Sequence, residues 1–149
     1  MRGPHVLGRI GLGDVGGALL LGNREHQRHR CARVSWDEAG VGQTTVSYTL
    51  AANGTATYAC LNGGGNHPKA ANKATVNGPV SASGTFPVIK NGRVTGSLSA
   101  GPPGPGSFSC PGGQTLVLAS VTYTDIVLTD TTNGVTADLG SVSRTFFAV

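Results

Sequence analysis

The chain has 149 residues, of which 24 are Gly, 12% are charged and 5% are aromatic. That suits one domain, excludes a helical bundle or coiled coil for want of good helix formers, and leaves no apolar run near the ~20 residues of a membrane-spanning helix. The formal charge of +4 falls entirely within residues 1–33, where six Arg oppose Asp14 and Glu25, while residues 34–149 balance five basic against five acidic side chains. A neutral body with few aromatics has neither the phosphate-neutralising patch nor the stacking platform of a nucleic-acid binder, which argues against that class.

The first stretch differs in kind from the rest. Residues 1–33 contain no Ser or Thr, whereas the remainder contains 11 Ser and 16 Thr. Gly11-Leu-Gly-Asp-Val-Gly16 has the glycine spacing of a dinucleotide loop. No uninterrupted strand precedes it, and no amphipathic helix leading to a second strand follows, so it implies no cofactor. Ala18–Leu21 is too short for the apolar region of an export signal. Residues 1–31 are therefore expected to be a disordered leader, or upstream sequence wrongly read as protein, with residues 32–149 as one domain.

From Ala32 onward the hydrophobic pattern has period two, punctuated by turn residues. Ala32–Trp36 reads as a strand. In Thr44–Ala52, Val46, Tyr48 and Leu50 share one face, and Thr45, Ser47 and Thr49 the other. Asn53-Gly54 predicts a tight hairpin returning through Thr55–Leu61. Lys73–Asn77 and Val80–Val88 follow as strands, with Pro79 and Pro87 marking edges or strand starts. Asn91-Gly92 predicts a second hairpin into Arg93–Ala100, and Gly101-Pro-Pro-Gly-Pro-Gly106 an irregular crossing. Thr115–Thr129, the most apolar stretch, predicts the sheet centre. Asp130-Thr-Thr-Asn-Gly134 then turns the chain into Val135–Leu139 and a last strand near Val142–Ala148. Eight or nine short strands without a helix predict an all-β fold, an antiparallel Ig-like β-sandwich, with a partly open β-barrel as the alternative.

Cys60 and Cys110 are the two cysteines of the body, each in a strand-like stretch leading into a Gly-rich turn. A bridge between them would close a loop of about fifty residues, joining the sheets or tying a loop to a strand, and would leave Cys31 outside it. Such a pair in a Thr/Ser-rich chain predicts an oxidising compartment, hence a secreted protein.

The candidate chemistry is sparse. His67, the one histidine of the body, stands in Asn62-Gly-Gly-Gly-Asn66-His67-Pro68, but no serine has a nucleophile-elbow context. Asp37 and Glu38 are adjacent and point apart, while Asp130 and Asp138 read as turn residues that cap backbone groups. Cys60, Cys110 and His67 lack metal-ligand spacing, so no metal and no cofactor is expected. Trp36, Tyr48, Tyr58 and Tyr123 all lie in strands, where core burial is the default for an aromatic. Only Trp36 borders a loop, and with Asn66 and His67 it makes up the candidate binding residues.

Tyr58-Ala-Cys-Leu-Asn-Gly-Gly-Gly-Asn66, Ala71-Asn-Lys-Ala-Thr-Val-Asn-Gly-Pro-Val-Ser-Ala-Ser-Gly-Thr-Phe86 and Cys110-Pro-Gly-Gly-Gln-Thr-Leu-Val-Leu-Ala-Ser-Val-Thr-Tyr123 resemble a group of small secreted actinobacterial proteins of unassigned activity. The likeness covers about residues 34–147. It implies export and a disulfide-bearing β-domain, and brings no functional residues with it. The expected function is a non-catalytic, monomeric β-sandwich that binds at the cell envelope or to an extracellular protein or glycan. The alternative is a small extracellular hydrolase or hydrolase inhibitor using the His67 loop.

Overall fold

The computed structural model describes residues 5–12, 30–62 and 72–149. Seven strands and one 3-10 turn (Lys90–Gly92) make up the regular structure of those residues, with no α-helix. The strands are β1 (His5–Leu12), β2 (Ala32–Ala39), β3 (Thr45–Asn62), β4 (Lys73–Pro87), β5 (Val94–Ala100), β6 (Gln114–Asp130) and β7 (Val135–Thr145). They pair antiparallel into a three-stranded sheet, β1-β2-β5, and a four-stranded sheet, β4-β3-β6-β7. Since β5 runs beside β4 and β1 beside β7, the sheets approach each other along both edges.

The expected eight or nine short strands are thus seven, several of them long. The largest correction is at Asn53-Gly54, where β3 runs straight through the predicted hairpin. The glycine serves close packing here, because a Cβ on Gly54 would lie 2.8 Å from Pro103 Cδ. Similarly β4 continues through Pro79, which an edge strand tolerates since its missing N–H faces away from β3. The two predicted C-terminal strands are one, β7, bent where Gly140 takes φ +79° beside a register shift against β6. β6 lies between β3 and β7, in the position expected for the most apolar stretch.

The sequence pattern placed no strand before Ala32, yet the backbone of β1 pairs with β2 from His5–Ala39 to Leu12–Ala32. Most of the Gly11–Gly16 pattern and the rest of the expected leader up to residue 29 lie outside the described residues.

The two sheets differ in length, and this divides the core. β2 and β5 have 8 and 7 residues, β3 and β6 have 18 and 17. Near the start of β3 the sheets face each other directly. Trp36 packs on Tyr48 at 4.4 Å between ring centroids and edge-on to Phe86 at 4.9 Å. Val34, Val46, Leu50, Val94, Ile126 and Leu128 are fully buried around them.

Beyond Ala100 the short sheet ends, and the Gly101–Gly113 crossing takes over as the cover. The Tyr58 hydroxyl donates to the Pro103 carbonyl at 2.7 Å, and Phe108 packs against the core. The Cys31 thiol donates to the Gly101 carbonyl at 3.0 Å. A disulfide joins Cys60 of β3 to Cys110, with Cα atoms 5.6 Å apart, inside the 4.4–6.8 Å that the bond requires. It ties a loop to a strand, as one of the two expected arrangements has it.

Candidate functional site

Period two puts every second residue of the four-stranded sheet outside, and on this chain those residues are chiefly Thr and Ser. Register then lines them up across strands. Thr75, Thr57, Ser120 and Thr145 are direct neighbours in one row; Asn77, Thr55, Thr122 and Ser143 form a second; Ser83, Thr49, Thr129 and Thr136 form a third. Hydroxyls bond across the strands, within these rows and beside them. Thr57 Oγ1 and Thr75 Oγ1 lie 3.1 Å apart, Ser47 Oγ and Thr85 Oγ1 2.9 Å, and Thr55 Oγ1 donates to Asn77 Oδ1 at 2.7 Å. None of the three rows holds a charge or an aromatic ring.

At one end of this face, beside a bulge in β6, the chain after β7 walls a groove. Thr57 pairs with Ser120 and the next residue, Tyr58, with Leu118, so Ala119 is an extra residue against β3. Its carbonyl accepts the N–H groups of Phe146 (2.7 Å) and Phe147 (3.1 Å), which holds the chain after β7 over the sheet. Phe147, Ala148 and Val149 form one wall, and the first hydroxyl row, with Lys73 at its edge, forms the floor. The groove has a volume of about 630 Å³ and is open to solvent. Its floor can donate and accept hydrogen bonds at every position, and Lys73 adds one positive charge.

A second polar cluster lies inside, near the start of β3. Glu38 of β2 and Asp130 of β6 are both fully buried. The Tyr48 hydroxyl donates to Glu38 Oε1, and Asp130 accepts from the Asn133 backbone N–H (2.8 Å) and side-chain amide (2.7 Å). Burial pushes the Glu38 carboxyl up to about 7, opposed by the Tyr48 hydrogen bond and reinforced by the Asp130 carboxylate. Burial and the Glu38 carboxylate push the Tyr48 phenol up as well. With no exposed surface, this pair cannot touch a substrate in this conformation. It is a polar clamp between the sheets.

The sequence candidates fare unevenly. Trp36 is 4% exposed and belongs to the core, so it is corrected from binding residue to packing residue: β2 carries its ring inward against Tyr48 and Phe86. Asn66 and His67 lie outside the described residues. Asp37 and Glu38 do point apart, one to the exposed Arg93 and the other inward. Asp130 caps its turn as expected, but Asp138 is an outward residue within β7. Among the described residues no group of three His, Cys, Asp or Glu side chains is placed to hold a metal ion, and no helix is long and apolar enough to cross a membrane.

Sequence reasoning missed the groove. The Thr/Ser face of Thr45, Ser47 and Thr49 was legible from alternation, but joining it to Ser120 and Thr145 needs the register. No family model, curated protein or solved structure matches the chain.

Proposed function

We propose that the protein is an exported, non-catalytic binding module that acts at the cell envelope or on an extracellular glycan, with the outer face of the four-stranded sheet as its contact surface. The observation that carries this reading is the set of three uncharged polar rows across all four strands. Covering such a face with an apolar partner would strand its hydroxyls, at about 1–3 kcal/mol for each group left unsatisfied. A polyhydroxylated partner returns each hydrogen bond. The disulfide supports export, since such bonds persist in oxidising compartments.

Retention on an array of extracellular polysaccharides tests the reading. Wild-type protein is expected to be retained on at least one glycan, and a Thr57→Val/Thr122→Val variant to lose that retention. Val keeps the shape and strand preference of Thr while removing its hydroxyl. Absence of retention on every glycan and envelope fraction overturns the proposal.

A further inference from the structure

The groove limits the length and shape of what can lie in it. Its floor crosses four strands spaced about 4.7–4.9 Å apart, so the row of Thr75, Thr57, Ser120 and Thr145 spans about 14 Å. One strand spacing is close to the advance per sugar in an extended 1,4-linked β-glycan, so the row meets about four sugars in succession. The volume of about 630 Å³ lies within the roughly 300–1,000 Å³ typical of small-molecule sites. Thr57 and Thr75 share a hydrogen bond, and the pair still keeps an O–H and spare lone pairs for a ligand. The row carries no charge, and the exposed Lys73 ammonium at its edge keeps its water, so no side chain lining the groove requires an ionic partner.

We infer that the groove seats about four consecutive units of an uncharged polysaccharide with an extended backbone, laid across the strands with one sugar over each. This rests on the proposed function and adds the ligand's length, shape and charge to it. Each hydroxyl of the row donates to or accepts from the sugar above it. Phe147, held over the sheet by its N–H bond to the Ala119 carbonyl, gives the wall an apolar surface for the C–H face of a sugar ring. A coiled, α-linked glucan curves away from a straight row. A protein partner would have to present a hydrogen-bonding group to each of the four hydroxyls, which a polysaccharide does by repetition.

Calorimetric titration of the full chain with cellobiose, cellotriose, cellotetraose and cellopentaose tests the inference. Affinity should rise about threefold to tenfold with each added sugar up to cellotetraose, the gain expected of one further net hydrogen bond. Cellopentaose should bind as cellotetraose does. Thr75→Val removes the hydroxyl at one end of the row, so the climb should stop at cellotriose. Near-ultraviolet dichroism of the buried tyrosines confirms that the variant is folded. Maltotetraose, the coiled isomer, should bind no better than maltose. Affinity that does not climb with length, that climbs on past cellotetraose, or that climbs equally in the malto series overturns the inference. So does a folded Thr75→Val variant whose climb still ends at cellotetraose. Failure of the whole series to bind overturns it as well. Retention of the protein on another glycan then preserves the outer-face reading, and absence of retention on any glycan or envelope fraction overturns both.

Discussion

The two halves of the molecule solve the same packing problem by different means. Around Trp36, Tyr48 and Phe86 one sheet covers the other, and the inward side chains interlock. Around Tyr58, Leu118 and Tyr123 the inner face of the long sheet is covered by a Gly/Pro crossing, which packs Pro103 over Gly54 and is fastened by Cys60–Cys110. A strand arrives with its backbone hydrogen bonds supplied by neighbouring strands, and an irregular segment does not. The crossing therefore depends on a covalent tie and on side-chain donors such as Tyr58. The difference teaches where each half should fail first.

The sharpest break should come from the disulfide. Cys60→Ala/Cys110→Ala is expected to lower unfolding free energy by about 2–5 kcal/mol in denaturant titrations. Reducing agent should reproduce that loss in the wild type and do nothing further to the variant. In amide exchange, β3 from Gly54 onward should lose protection before Val46–Leu50 does. Uniform loss along β3 would show that the two halves are not distinct.

Added volume probes the other half. A Cβ on Gly96 would meet Phe86 and Trp36 carbons at 2.8 Å, so Gly96→Ala should cost about 1–3 kcal/mol by overpacking. Gly54→Ala meets Pro103 at the same 2.8 Å, but a loop yields more easily than a sheet. Its cost, read from the same titrations, should be the smaller of the two. The reverse order would mean that the crossing is the more rigid cover.

These contrasts also explain how far the sequence could be read. Alternation disclosed the all-β class, the buried face of Val46, Tyr48 and Leu50, and the central place of Thr115–Thr129. The Asp130 turn followed from local chemistry, with the Asp130 carboxylate accepting from the Asn133 N–H. Asn53-Gly54 misled because a glycine needed for close approach looks the same as one needed for positive φ. Only the placement of Pro103, some fifty residues away, tells them apart. The groove was hidden for a related reason, since a bulge at Ala119 and a tethered Phe147 are properties of register. Glu38, next to Asp37 in sequence, became a core residue only once Tyr48 and Asp130 surrounded it.

The polar clamp adds a smaller, pH-dependent effect on the sheet-covered side. The Glu38 carboxyl is pushed up to about 7 when folded, above the roughly 4.3 of an unperturbed glutamate. A carboxyl that holds its proton more tightly in the folded state contributes stability that is complete below about pH 4 and is lost as pH rises to about 7. Melting temperature should decline across that window, and Glu38→Gln should flatten the decline. A wild-type profile that rises over the same range would contradict the assignment. The smallest effect is expected at the surface, where Arg93 pairs with Asp37. Arg93→Gln should leave the thermal melt unchanged within its scatter, because solvent and salt screen an exposed pair.

The groove lies on the outer side of the loop-covered half, and this gives the most direct test of the functional account. Amide chemical shifts of the full chain should be followed during titration with a short oligosaccharide cut from a polysaccharide that retains the protein. Perturbations are expected to cluster at Thr57, Lys73, Thr75, Ser120, Thr145 and Phe147, with Ser47, Thr49, Thr85 and Thr129 unmoved. Perturbations centred on that second group, or none at saturating ligand, would contradict it.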